Sequence, residues 1–532
     1  MKKSIIIPFI VLCAPAFAQN LNPEVQVTND YVTKMMDVEK QSLSMSVPDS
    51  MLKFDYHFDY SVFESPYRGA YEFSPYTIAF APEPEKPEFN DLYLSAGAGY
   101  SIHPELVAVW SPVHNSDFDL SVFGNFNGYS GNYNSVSSSD LSLDGGSFYG
   151  YDFSGKAGVE GRWNLPGSSI RFEAAYDGIF NGGDVDGSIY NSAYGIVKAS
   201  SNSSDRNFFY YDANLYYRFL SCIDGAANTL VSELKLSGTV GPVIDAVYRI
   251  LVDIDADANG YNTSFSATPR FQFSLGSVNM SAGVRLGCLD GFSIYPDVRA
   301  TLDVFSGSSQ IYGNISGRDV NNSFSSIKSV FHRYTNAYGT PQAGREMLDV
   351  NAGIRGTMLW GIQYDLKLGA RLLDNAPLYG VSVGEGSYSE TLAYADYNMM
   401  YAEALAAWKS ERISVDGRFR LCYCGGELLE KAFLPSAFSG NAGAEYNISK
   451  RISFGTKVLW ETSRKTSIPY IDGEEVLSLP GYADLGVFGK YSFARRWSVW
   501  AKGGNLLNMD IRRTPFYSEK GPYFTAGICL GL

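Results

Sequence analysis

Arg412-Ile-Ser-Val-Asp-Gly-Arg-Phe-Arg-Leu-Cys-Tyr-Cys424 changes character at every second residue. Ile413, Val415, Phe419, Leu421 and Tyr423 form an apolar set, and Ser414, Asp416, Arg418 and Arg420 a polar one. Alternate side chains of a strand point to opposite faces, so this segment has one apolar face and one charged face. The same alternation recurs along most of the chain. In 148–164, Phe153, Ala157, Val159 and Trp163 oppose Asp152, Lys156, Glu160 and Arg162. Ile170, Phe172, Ala174 and Tyr176 oppose Arg171, Glu173 and Asp177, and Ile362, Tyr364, Leu366 and Leu368 oppose Gln363, Asp365, Lys367 and Arg371. No helical period is evident between the copies. Faces carrying both signs of charge are intolerable against lipid and natural against a wet lumen. The pattern predicts an all-β fold, a large transmembrane antiparallel β-barrel of about 20 strands, within a range of 18–22.

The amino terminus fits this reading. Lys2 and Lys3 form a positive stretch, Ser4–Leu12 an apolar one, and Ala16-Phe17-Ala18 a small-x-small cleavage site, so residues 1–18 read as a signal peptide. Cys13 is a poor lipidation site because Leu12 stands where a small residue is expected. Aromatic residues make up 15% and charged residues only 18%, with 38 Tyr and 33 Phe, a balance that favours strands and membrane interfaces. A mean hydropathy of -0.11 does not weigh against the barrel, because a polar lumen face halves the apolar signal of each strand. The net charge of -14, without a basic patch, excludes nucleic acid as a partner. The partner this architecture demands is outer-membrane lipid, which places the chain in the outer membrane of a Gram-negative bacterium.

Residues 19–89 differ from the rest and end in Ala81-Pro-Glu-Pro-Glu-Lys-Pro87, whose prolines disfavour a central strand. They read as an extended segment, periplasmic or lying in the lumen, followed by a barrel over residues 90–532. Ser449-Lys450, Gly361 and Ala494-Arg495 predict tight turns on one rim, and the Gly/Ser/Asn-rich stretches near 128–147, 182–206 and 463–478 predict long loops on the other. Trp163, Trp408, Trp460 and Trp497 fall at strand ends, where interface anchors are expected.

The C-terminal strands carry a family resemblance. Tyr482–Tyr491, Trp497-Ser-Val-Trp-Ala-Lys-Gly-Gly-Asn-Leu-Leu-Asn508 and Gly521-Pro-Tyr-Phe-Thr-Ala-Gly527 resemble the last three strands of TonB-dependent receptor barrels, with their N-L-hydrophobic-N motif and aromatic final strand. The Tyr-rich character is similar to Bacteroidota examples. The resemblance covers about a tenth of the chain and implies transport or uptake of a solute across the outer membrane. Two departures stand against it. Barely seventy residues precede the first strand, too few for the family's plug domain, and the chain ends in Leu532 rather than an aromatic residue. Glu24, Val25, Gln26, Val27 and Thr28 read as a plain extended tail or, by the resemblance, as a TonB box bound through strand addition, with TonB as the partner implied. A barrel without transport, serving as a structural or assembly partner of periplasmic or surface proteins, is the other reading.

Lys156, Glu160, Arg162, Arg171, Glu173, Asp365, Lys367, Arg371, Asp416, Arg418 and Arg420 are the lumen-facing candidates. They can set solute selectivity, or pair across the wall and hold the barrel round. His57, His103, His114 and His332 stand in no nucleophile-elbow, HExxH or Cys/His metal spacing, so no catalytic, metal or cofactor site is expected and the chain does not read as an enzyme. Cys222, Cys288, Cys422, Cys424 and Cys529 have no disulfide-framework spacing.

Overall fold

A computed structural model describes residues 91–532 apart from residues 101, 184–186, 202–208, 226, 243–247, 385–386, 426–429 and 471–472. The signal peptide, the segment 19–89 with its Glu24–Thr28 box, and His57 lie outside the described residues. The described strands form one closed antiparallel sheet of 22, at the upper edge of the expected range, together with a separate two-stranded hairpin. Closure is made by Leu92–Gly99, which pairs with Glu105–His114 on one side and with the final strand Tyr523–Gly531 on the other. At this seam Trp500 lies across Gly97 and Gly527, where an added Cβ would come within 2.5 Å of its ring. Its Nε1 donates to Ser95 Oγ at 2.9 Å. Glycine is required at both positions because the indole occupies the space of a side chain.

The strand Ile413–Gly425 shows the two faces directly. Leu421 and Tyr423 are 55% and 68% exposed on the apolar side, whereas Cys422 on the other is 8% exposed. Crossing a bilayer takes about 10 tilted residues. Leu143–Leu165, Gln363–Val383 and Tyr388–Lys409 run to 23, 21 and 22 residues, so they continue well past the membrane-crossing length.

Both ends of the barrel and several tight turns share one rim, called here the terminal rim, while the short connections after Asp224 and Cys288 lie on the other. Residues 166–167, 276–277 and 450–451 turn there, as does 358–362, where Trp360 and Gly361 take positive φ. Trp110, Trp163, Trp360 and Trp497 stand exposed around it, and Trp408 donates from Nε1 to the Trp360 carbonyl at 3.1 Å. Trp460 sits toward the opposite rim, packed on Phe419 and Phe438 at 5.5 and 5.9 Å.

The long connections (322–342, 426–437, 462–481 and 505–522) all lie on the opposite, loop rim. Three expectations are corrected there. Residues 128–147 are not a long loop but the ends of strands Phe118–Val136 and Leu143–Leu165. Within 182–206, Ser188–Ser201 is a strand. Within 463–478 the chain makes the hairpin Arg464–Tyr470 and Gly473–Leu479. One helical period is also present: Phe324–Val330 forms α1, with Ser323 and Ser326 bonded reciprocally across its N-terminus.

Candidate functional site

The interior of the barrel holds a cavity of about 2770 Å³. Its lining includes Lys409, Arg495, Arg496 and Leu532 at the terminal rim and Lys328, His332, Arg333, Tyr517 and Lys520 under the loop rim. Two different kinds of surface bound it: a charged wall and a folded roof.

The wall is a lattice of ion pairs placed by strand register. Lys156 meets Glu173 at 3.0 Å, and Glu173 also accepts from Tyr194 Oη at 2.5 Å. Lys367 meets Glu403 at 2.7 Å, and Arg420 reaches the same carboxylate at 3.5 Å. Arg371 bridges Asp349 at 3.0 Å and Glu346 at 3.4 Å. Asp365 accepts from Tyr312 Oη at 2.6 Å. Glu160 and Asp416 line the cavity, with Glu160 opposite Glu173 in the ladder. Arg162 and Arg171 lie opposite one another and exposed near the terminal rim, and Arg418 is exposed opposite Leu405 and Asn441. The sequence reading did not identify the pairs Arg218–Asp177 (3.3 Å), Arg270–Asp253 (2.6 Å), Arg299–Asp297 (3.1 Å) and Arg318–Glu346 (3.0 Å). Their signal was the same alternation, applied to strands whose apolar face is less regular.

The roof is built from the loop-rim segments and has an apolar core of its own. α1 turns Phe324, Ile327 and Lys328 to one buried side, the spacing that places side chains on one helical face. Phe324, Ile327, Phe331 and Tyr334 pack with Leu220, Val381, Phe433, Ile468 and Leu479, so three separate connections and the strand tops share one cluster. Glu233, fully buried, accepts from the Ser325 backbone amide at 2.9 Å and from its hydroxyl at the start of α1. A carboxylate there complements the unsatisfied amides of the first turn. Lys431 N donates to Ser467 O and Val381 N to Lys431 O at 2.8 and 2.9 Å, joining the hairpin to a barrel strand. Arg464 Nη2 donates to the carbonyls of Arg512 and Arg513 at 3.2 and 2.9 Å, and Tyr388 Oη to Glu475 at 2.8 Å.

His332 and Asp152 meet at 3.0 Å beneath this core, and Lys520 Nζ donates to His103 Nε2 at 3.2 Å. Burial, together with Lys520 and Lys502, holds His103 down at about 3, so its imidazole is neutral and accepts. Burial also pushes Lys328 and Lys520 down to about 8. His114 pairs with Asp119 at 2.7 Å away from this group. The cysteines Cys222, Cys288, Cys422, Cys424 and Cys529 are free, and no cluster of three or more metal-ligating side chains occurs among the described residues.

No family model and no curated protein matches the sequence. The fold, a 22-stranded barrel around a charged lumen, is that of the TonB-dependent receptor type. Among solved structures it is similar to the copper transporter OprC (TM-score 0.60, 12% identity, 83% of this chain and 82% of that one). It is similar also to the ferric enterobactin receptor PfeA of Pseudomonas aeruginosa (0.56, 12%, 83% and 80%) and to the siderophore receptor PirA of Acinetobacter baumannii (0.57, 11%, 83% and 80%).

Proposed function

We propose that this chain is an outer-membrane barrel that passes a solute through its lumen, with the roof on the loop rim as the gate. The observation that carries the reading is a cavity of about 2770 Å³ beneath a packed roof. A wall of mixed charge keeps such a cavity wet, and a roof with its own core can move as a unit. Short turns and both ends of the barrel on the terminal rim support assigning that rim to the periplasm and the roof to the outside. On this reading residues 19–89 serve as the extended segment, periplasmic or in the lumen, and Glu24–Thr28 as the candidate for binding a TonB-like partner by strand addition. The solutes named for the similar structures, ferric enterobactin and copper, support uptake as the class of activity, and the solute of this chain stays open. Its chemistry is passage rather than catalysis.

The second reading, a barrel that transports nothing and anchors other envelope proteins, is favoured by the density of the roof. Phe324, Val381, Leu220, Ile468 and Leu479 are fully buried in it, as a permanent lid would be. Single-channel recording in planar bilayers separates the two. On the transport reading the full chain is closed with rare openings, and replacing residues 324–341 by a short Gly/Ser linker opens a large steady conductance. A trimmed barrel that still never conducts, even when residues 19–89 are also removed, supports the anchoring role.

A further inference from the structure

The terminal rim carries its charge unevenly. Three hairpins turn there between Tyr388–Lys409 and Ile413–Gly425, between Phe438–Ser449 and Ile452–Glu461, and between Tyr482–Tyr491 and Trp497–Gly504. These strands pair in that order around the barrel, so the turns follow one another about 10 Å apart, two strand spacings each. The connecting residues 410–412, 450–451 and 492–496 contain five cations, Arg412, Lys450, Arg451, Arg495 and Arg496, against one carboxylate, Glu411. The seven other connections of the rim (115–117, 166–167, 202–208, 243–247, 276–277, 305–308 and 358–362) contain one cation, Arg206, against Asp117, Asp205 and Asp245. No turn holds more than two of the five, so the patch forms only when the barrel closes, in a chain whose net charge is -14.

All five cations are exposed. Glu411 can neutralise one of them, and Asp416 and Glu445 on the strands above line the cavity. Lys450 and Arg451 are adjacent, as are Arg495 and Arg496, well inside a Debye length of about 8 Å, so each pair repels itself unless an anion lies against it. What adjoins the arc identifies that anion. Ile448 and Ile452 flank Lys450-Arg451, and Tyr491, Phe493 and Trp497 flank Arg495-Arg496, all of them exposed. They belong to the apolar band that faces lipid, with aromatic rings at its edge, the level of the headgroups. Lys and Arg side chains at that level keep their stems on the apolar surface and extend their charges into the phosphate layer. Elsewhere on the rim Trp110, Trp163 and Trp360 are exposed beside connections without a cation. That part of the rim is anchored by rings, and the arc by rings and charge.

We propose that this arc is a binding surface for anionic phospholipid, whose phosphates lie against Arg412, Lys450 and Arg451 and reach Arg495 and Arg496 at the mouth of the lumen. The choice of leaflet rests on the proposed placement of the terminal rim in the periplasm; the arc itself does not. A Lys or Arg near an anionic surface is worth roughly fivefold in binding, so removing two costs roughly tenfold or more.

Native mass spectrometry of the full chain, released from detergent with dioleoyl phosphatidylglycerol, dioleoyl phosphatidylcholine or lipid A, tests the surface. The chain should retain phosphatidylglycerol roughly tenfold or more better than phosphatidylcholine. K450Q/R451Q, checked as a folded, heat-modifiable barrel, should lose that preference. K450R/R451K should keep it, as should the charge-matched K431Q/K465Q on the loop rim. Equal retention of the two phospholipids, or a preference that K450Q/R451Q leaves intact, overturns the proposal and leaves the placement of the rim untouched. Retention of lipid A above phosphatidylglycerol, lost in K450Q/R451Q, overturns it in favour of the outer leaflet, and the placement of the rim falls with it.

Discussion

The wall and the roof of the lumen solve one problem in opposite ways. Each must present a surface to a wet cavity while keeping its own structure. The wall does so with side chains fixed by register: once Glu403 stands opposite Arg420 in the ladder, and Lys367 opposite Glu403, their pairing needs no further folding. The roof has no register to rely on. It is gathered from connections far apart in sequence and depends on an apolar cluster that includes Phe324 and Leu479. The wall is therefore expected to be rigid and locally redundant, and the roof cooperative and displaceable.

The largest effect separating the two comes from the roof core. Phe324→Ala empties a fully buried site and costs about 3–5 kcal/mol of roof stability. The expected result is a barrel that stays heat-modifiable on gels while its channel openings rise by orders of magnitude. Unfolding of the whole barrel would show instead that roof and wall are one cooperative unit.

Next is the most buried wall pair. Arg371→Met leaves Asp349 and Glu346 without their shared cation, and losing one partner of a buried pair costs about 3–5 kcal/mol. Thermal unfolding of the barrel should shift downward while roof opening changes little.

A smaller effect is pH dependence confined to the roof. Lys328 and Lys520 lie at about 8, below the ordinary 10.5, chiefly through burial. Cys222, Asp152, Arg333 and Asp224 act on the first, and Lys502, Glu519, Glu105 and Asp152 on the second. Below about 8 both are charged in the folded and unfolded chain, and the cost of burial is carried in full. Between about 8 and 10.5 the unfolded chain binds more protons than the folded one, so stability rises with pH. Closed dwell times should lengthen from pH 7 to pH 9.5, and Lys328→Met should flatten that rise.

The smallest effect is expected at a half-exposed wall pair. Lys156→Met should change barrel stability by about 0–1 kcal/mol, read by the same thermal unfolding.

The same contrast explains what could be read from the sequence. Asp416, Arg418 and Arg420 betray their shared face because a strand between lipid and water must alternate, and Ile413–Gly425 lies where both constraints act. Past the membrane both faces meet water, the alternation fades, and Ser130-Gly-Asn-Tyr133 resembles a loop although it is strand. The roof was hidden for a different reason. Phe324, Phe433, Ile468 and Leu479 carry no periodic relation to one another, and only the folded chain brings them together. One signal did exist: Ser323 and Ser326 flank the first turn of a helix whose apolar residues Phe324 and Ile327 recur at helical spacing. The basic arc was hidden in the same way, because Arg412, Arg451 and Arg496 stand in separate turns that only the closed barrel makes neighbours.

The claim that the lumen is roofed on its outer side is tested most directly by accessibility. In a background with Cys222, Cys288, Cys422, Cys424 and Cys529 replaced, Ser414→Cys places a thiol on the cavity lining toward the terminal rim. A membrane-impermeant maleimide applied to intact cells should leave that thiol unlabelled, and should label it readily once Phe324→Ala loosens the roof. Rapid labelling from outside with the roof intact would contradict the account.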